Sequence, residues 1–221
     1  MAYRKKAALI LKCHPDLVTV PECEYLGEET TKKLWFGDNC KKGLGVFSYS
    51  DLELELHEEY NTSFKYIIPI KVKGPLELNL FAIWAMNDLE DTRKRYIGQV
   101  YSAITYYEEL LNEPTVIMGD LNWNVIWDAN PDYPLYGTLT EVIKILENKD
   151  IRSIYHEFYK ESFGKETKPT LFMYHRQNRP YHVDYCFASS DRKVSNVEVG
   201  NFDEWIKKSD HMPIIVTFGD K

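Results

Sequence analysis

The sequence predicts an α/β fold, a two-sheet core with helices outside, and three observations point there. Apolar or alternating runs of strand length fill much of the first 84 residues and return after residue 170. Between them the pattern changes to the 3.6-residue period of amphipathic helices. No low-complexity linker or short repeat divides the 221 residues, so a single domain over 1–221 is expected.

Residues 3–13 read as a helix with Ala7, Ala8, Ile10 and Leu11 as its apolar stripe, stopped by His14-Pro15-Asp16. LVTVPE (17–22) reads as a buried strand. Strand candidates follow at 33–37, 43–49, 52–57, 64–72 and 76–84; the run 52–57 alternates and should keep one wet face. In 93–112, Ile97, Val100, Tyr101, Ile104 and Leu111 fall on one helical face, and Asn112-Glu113-Pro114 ends it. TVIMGD (115–120) is another buried strand. Residues 121–137, rich in Asn, Asp, Pro and Gly, read as a long functional loop. An amphipathic helix spans 138–149 with Thr138 as its N-cap. Strands are expected at 170–175, 181–188, 193–199 and 213–218.

Composition narrows the function. At 44% hydrophobic with 16 Tyr, 10 Phe and 5 Trp, the chain can bury a real core and is not disordered. A net charge of -7 argues against holding nucleic acid through bulk basic charge, while leaving room for an enzyme with a local basic rim. Cys13, Cys23, Cys40 and Cys186 form no C-x-x-C and no zinc-ribbon spacing, so reduced thiols in a cytoplasmic monomer are expected. The N-terminal patch is interrupted by Lys12 and lacks a cleavage pattern, and no run approaches the ~20 apolar residues of a membrane span.

Chemistry collects at the ends of buried strands. Glu22 ends the first apolar run, Asp120 ends TVIMG with Asn122 two residues on, and Asp210-His211 precedes the last strand. Asp184 lies inside the apolar run YHVDYCFA, where a carboxylate is costly unless paired or metal-bound. Taken singly, these are a solvated strand end, an Asx turn and a surface histidine. Together, hard oxygen donors without a cysteine cluster suggest Mg²⁺, with Mn²⁺ as the alternative, and a carboxylate-bound ion beside an imidazole suits phosphate-ester hydrolysis.

Four blocks resemble the endonuclease/exonuclease/phosphatase family, the metal-dependent superfamily with deoxyribonuclease I-like and apurinic-endonuclease-like members. They are PDLVTVPE, VIMGDLN, HVDYCFAS and SDHMPI, in family order from residue 15 to 214. The resemblance implies a four-layer α/β/β/α sandwich of two mostly antiparallel or mixed sheets. It also implies roles: Glu22 binds the metal and Asp210 helps hold the site. Asp120 orients or deprotonates the attacking water, and Asn122 positions the water or the phosphate. His211 stabilises the phosphate or handles a proton, while Asp184 fixes its tautomer. Asn87 and Trp84 fall where the family contacts phosphate. Trp84 lacks the usual donor, which leaves it as core or as a stacking surface for a base. His182 is a site-rim candidate, whereas Arg179 reads as solvated loop. The family's opening strand with its Asn has no counterpart before MAYRKKAAL, for which truncation is the expected reason, and Pro21 stands where the family often has Gln.

The expected function is therefore a Mg²⁺-dependent phosphodiesterase acting on DNA. A phosphatase or phosphodiesterase on a lipid or small metabolite is the second reading, and a family-fold binding module without turnover the third.

Overall fold

The computed structural model describes residues 2–129 and 134–219, so part of the expected 121–137 loop, at 130–133, lies outside the described residues. In chain order it contains α1 (Tyr3–Lys12), β1 (Leu17–Cys23), β2 (Lys33–Asn39), β3 (Lys42–Ser48), β4 (Glu53–Leu56), β5 (Ile67–Lys73) and β6 (Leu78–Trp84). Then come α2 (Ile97–Tyr106), β7 (Thr115–Asp120), α3 (Leu139–Asn148), β8 (Ile151–Ser153) and α4 (Ile154–Tyr159). The last elements are β9 (Leu171–Phe172), β10 (Pro180–Tyr181), β11 (Asp184–Ser189), β12 (Val194–Val199), α5 (Phe202–Trp205) and β13 (Ile214–Phe218).

A six-stranded sheet, ordered β4-β5-β6-β7-β11-β8, is the backbone of the fold. Its pairs are antiparallel except β6–β7, which run parallel because α2 carries the chain back between them. All seven residues of β6 are buried, as expected for a strand covered on both faces. One face, with Phe81, Ile83, Ile117, Tyr185 and Phe187, packs on Val100, Ile104, Val142 and Leu146 of α2 and α3. The opposite face, with Ile68, Ile70, Leu80, Ala82 and Cys186, meets Leu34, Leu44 and Val46 of β2 and β3, and Val197, Ile214 and Val216 of β12 and β13. The second β layer thus comes in two pieces, a three-stranded β1-β3-β2 sheet and a two-stranded β12–β13 sheet. Helix α1 closes the outside: Tyr3, Ala7 and Ile10 pack on Val20 and Phe47, and Leu9 and Ile10 reach the Trp205–Met212 cluster beside α5. Each fully buried side chain of this kind contributes about 1.5–3 kcal/mol.

Several boundaries differ from the sequence reading, each for a local reason. The 93–112 helix is split: Tyr96 has φ +48, α2 ends at Tyr106, and 3₁₀ turns flank it at Thr92–Lys94 and Glu108–Asn112. The expected strand 170–175 ends after Phe172, because Tyr174 and His175 adopt left-handed backbone, and 181–188 is divided into β10 and β11. Helices α4 and α5 are six and four residues long, too short to leave a period. Thr138 caps α3 in a full capping box with Glu141. No helix among the described residues is long and apolar enough to cross a membrane.

Candidate active site

The end of β7 is built around Gly119. Its φ is +144, and a Cβ there would stand 1.9 Å from the Ile83 carbonyl oxygen, so glycine alone lets β7 lie this close to β6. The next residue, Asp120, is 3% exposed. Asn122 turns back over it with φ +50, a conformation asparagine tolerates. Its backbone N–H donates to Asp120 Oδ1 at 2.8 Å, and its Nδ2 donates to Asp120 Oδ2 and to the Ala85 carbonyl, both at 2.9 Å.

Directly across the ladder from Asp120 stands Asp184, the first residue of β11. Opposed residues of an antiparallel pair share a face with Cβ atoms roughly 4.5–5.5 Å apart, where like charges repel. Thr170 Oγ1 accepts the N–H groups of Val183 and Asp184, at 3.0 Å each, and so fixes the start of β11. The segment before β13 is tied to the same place. Phe172 N–H donates to the Asp210 carbonyl (2.8 Å), Met212 N–H to that of Thr170 (2.7 Å), and Ser209 Oγ accepts His211 N–H (3.1 Å). These bonds bring His211 Nδ1 to 2.9 Å from Asp184 Oδ2. One ligand atom each from Asp120, Asp184 and His211 then lie within 4.8 Å of one another.

The electrostatics follow from that crowding. Burial first, then the charge of Asp184 and, further down, that of Glu22, push the Asp120 carboxyl up to about 7. Burial alone would lower His211, but Asp184 and Asp120 outweigh it and carry the imidazole up to about 10. In the metal-free protein the histidine is therefore a cation at neutral pH, and Asp120 titrates there.

Glu22 lies in a β-bulge of β1, with φ +58, in the register break between Val20 and Cys23. Its Oε1 is 2.7 Å from Lys42 Nζ. Burial raises the Glu22 carboxyl, but the Lys42 hydrogen bond and the other nearby positive charge together outweigh it and hold it at about 2. Asp210 is half-buried and adds to the field that raises His211. Glu22 and Asp210 thus border the cluster but are not among its three members. Asn87 is exposed on the loop after β6. Trp84 is 3% exposed, tilted against Tyr66 and part of the inter-sheet core, so it offers no open face for stacking a base. His182 is buried on a different network: its Nδ1 is 2.9 Å from the Lys168 carbonyl. Arg179 lies in an exposed loop with its guanidinium 5.7 Å from the Tyr174 ring centroid.

Sequence reasoning did not find the support behind His182. Asn124 Nδ2 donates to the His182 carbonyl (2.9 Å) and to Glu166 Oε2 (3.2 Å), and Glu166 Oε1 lies 3.1 Å from His156 Nε2. These residues set the entry into β11, and Asn124, Glu166 and His182 also line a pocket of about 390 Å³. The Asn-x-Asn spacing of Asn122 and Asn124 was the only signal for it.

The donor set fits a divalent ion. Four carboxylates, Glu22, Asp120, Asp184 and Asp210, sit in one electrostatic neighbourhood, and Asp120 is driven toward neutrality by burial first and then by Asp184 and Glu22. Oxygen-rich sets of this kind suit Mg²⁺ or Mn²⁺.

Residues 7–211 match the model of the endonuclease/exonuclease/phosphatase family. A search of curated proteins found no match. Among solved structures the chain is similar to an AP endonuclease from Archaeoglobus fulgidus, with a TM-score of 0.71, 13% identity, and coverage of 98% of this chain and 95% of that one. It is also similar to a 3'-5' exonuclease, NExo, from Neisseria meningitidis, with a TM-score of 0.67, 14% identity and coverage of 98% and 96%. A 3' phosphatase NExo from Neisseria bound to a product DNA hairpin gives 0.67, 13% identity and coverage of 99% and 96%. At these identities the likeness is one of fold.

Proposed function

The chain belongs to the endonuclease/exonuclease/phosphatase family, a group of phosphoesterases of nuclease and phosphatase type, and on that premise we propose that it is a Mg²⁺-dependent phosphodiesterase, in one domain, that hydrolyses DNA. The observation that carries this reading is the meeting of two carboxylates and an imidazole, Asp120, Asp184 and His211, with one ligand atom of each within 4.8 Å of the others. A carboxylate base beside an imidazole acid is what water attack on a phosphodiester requires.

Glu22 and Asp210 would hold the divalent ion, Mg²⁺ or Mn²⁺, which when bound supplies charge stabilisation at the phosphate oxygens. Asp120 takes the proton of the attacking water. Asn122, fixed to Asp120 and to the Ala85 carbonyl, limits the directions from which that water can approach. Asp184 accepts from His211 Nδ1, leaving Nε2 to donate to a phosphate oxygen or to the leaving group. Asn87, exposed on the loop after β6, would add an amide for phosphate. The similar solved proteins named as an AP endonuclease and as a phosphatase bound to product DNA favour DNA as substrate. The net charge of -7 favours the second reading, a small or lipid phosphate ester. All four cysteines are free, which suits a reducing cytoplasm.

The test is cleavage of plasmid, an abasic duplex and a 3'-phosphorylated duplex with Mg²⁺, with EDTA, and with His211→Ala. The expected result is metal-dependent cleavage lost in the variant. Metal-independent cleavage, or full activity without His211, overturns the mechanism, and turnover confined to small esters selects the second reading.

A further inference from the structure

Two lysines that the mechanism above does not use converge on Glu22. Lys42, the first residue of β3, is held at both ends of its reach: Nζ is 2.7 Å from Glu22 Oε1 and 5.1 Å from the ring centroid of Trp84. The carboxylate and the aromatic face fix a cation that would otherwise sweep through solvent. Trp84 is in turn the register partner of Asp120, so the Lys42 ammonium is anchored to the strand end that carries the candidate base.

Lys6 lies in α1. In α1, Tyr3, Ala7 and Ile10 face the sheet, and Lys6, three residues after Tyr3 and four before Ile10, falls on that same stripe. Lys6 is half-buried; burial lowers its ammonium, against the opposing pull of Glu22, Cys23, Asp184 and Asp210. Yet among the described residues Lys6 makes no hydrogen bond and no ion pair within 4.0 Å. A half-buried ammonium carries three donors, and here all three lack an acceptor. The non-bridging oxygens of a phosphate are acceptors of the kind that complete such a group.

We propose that Lys6 and Lys42 are substrate-binding residues, a lysine pair that grips the phosphate on the Glu22 side of the site, with Glu22 as the anchor that keeps Lys42 in place. This rests on the phosphoesterase reading for its substrate, but binding of phosphate itself can be measured without turnover. The pair also gives a chain of net charge -7 a local means of attracting an anion, without a basic surface.

The experiment titrates inorganic phosphate into wild type, Lys6→Met, Lys6→Arg and Lys42→Met by calorimetry, with Mg²⁺ affinity measured alongside and melting temperature as the fold check. Each methionine variant should weaken phosphate binding roughly tenfold or more, the worth of one charge-assisted hydrogen bond. Lys6→Arg should recover most of it. Mg²⁺ affinity should stay level or tighten, because a competing cation has been removed. On a cleaved ester the same variants should raise KM far more than they lower kcat. Unchanged phosphate affinity and KM in folded Lys6→Met and Lys42→Met overturns the proposal. So does a Mg²⁺ affinity that falls in parallel with phosphate, which would make the lysines mere supports of the metal site. Phosphate binding that depends on both lysines, in a chain that turns over no ester, supports the pair while sinking the hydrolase reading.

Discussion

Among the described residues two histidine–carboxylate pairs lie at hydrogen-bond distance, and they are of opposite character. His211 Nδ1 lies 2.9 Å from Asp184, with side chains 31% and 17% exposed, and His156 Nε2 lies 3.1 Å from Glu166, at 7% and 4%. Around Glu166 the polar atoms are matched: Gly164 N–H and Asn124 Nδ2 donate to it, and Ser153 Oγ is 2.7 Å from the other nitrogen of His156. Burial pushes the Glu166 carboxyl up, but the His156 hydrogen bond and the backbone donors win and hold it at about 2. Around His211 the balance is reversed. Like charges face each other across a strand pair, and the nearby Asp120 is pushed to about 7. A complete hydrogen-bond shell makes a structural pair, whereas an excess of one charge beside an opening makes a reactive one.

Substitution can break that contrast in graded steps. Asp120→Asn should cut turnover on a cleaved ester by about 10²–10⁴-fold while leaving the melting temperature of the metal-free protein level or higher, because it removes a carboxylate whose ionisation burial and Asp184 oppose. Initial rates together with thermal melts check this, and a large fall in melting temperature would make the first pair structural too. Glu166→Ala should do the reverse. Leaving a buried group without its partner costs about 3–5 kcal/mol, and the rate per folded molecule should hold; urea unfolding beside active-site titration reads both. Asn124→Ala removes one support of Glu166 and should cost about 1–3 kcal/mol.

The smallest effect is the pH dependence, which separates the pairs without any mutation. His211 is raised from 6.5 to about 10 and Asp120 from 3.8 to about 7, so the folded state favours the protonated form of both. Their contributions are complete below the unfolded values and are lost as pH rises through about 7 and then about 10. Glu166 is lowered from 4.5 to about 2, so its contribution is complete above 4.5 and is lost as pH falls through about 2. Urea midpoints of the metal-free protein should therefore decline on the alkaline side through the first pair and on the acid side through the second. Asp120→Asn should flatten part of the alkaline limb only.

How much of this was legible in the sequence depended on whether the chemistry sat in short, constrained strings. Asp120 ends β7, Asp184 opens β11 and His211 precedes β13, and an acid within YHVDYCFA stood out because its neighbours forbade solvent. The structure brings those three together, while the roles given to Glu22, Asp210, Asn87 and His182 stay proposals. The His156–Glu166 network was illegible because its members span 124 to 182 in segments without a period. Trp84 was left open between core and stacking surface; only burial on both faces of β6 decided for core. Lys6 hid in the run Arg4-Lys5-Lys6, where a charge cluster reads as a wet face, although its offset from Tyr3 and Ile10 matched the buried stripe.

The direct pairing of Asp120 with Asp184 has a consequence for how this protein can change. Side chains alternate across a strand, so adding or deleting one residue within β7 or β11 would turn one of the two acids away from the other and dismantle the site in a single event. Length variation among descendants of this chain should therefore gather in its connecting loops, and a survey of tolerated insertions would find these two strands the most silent part of the map.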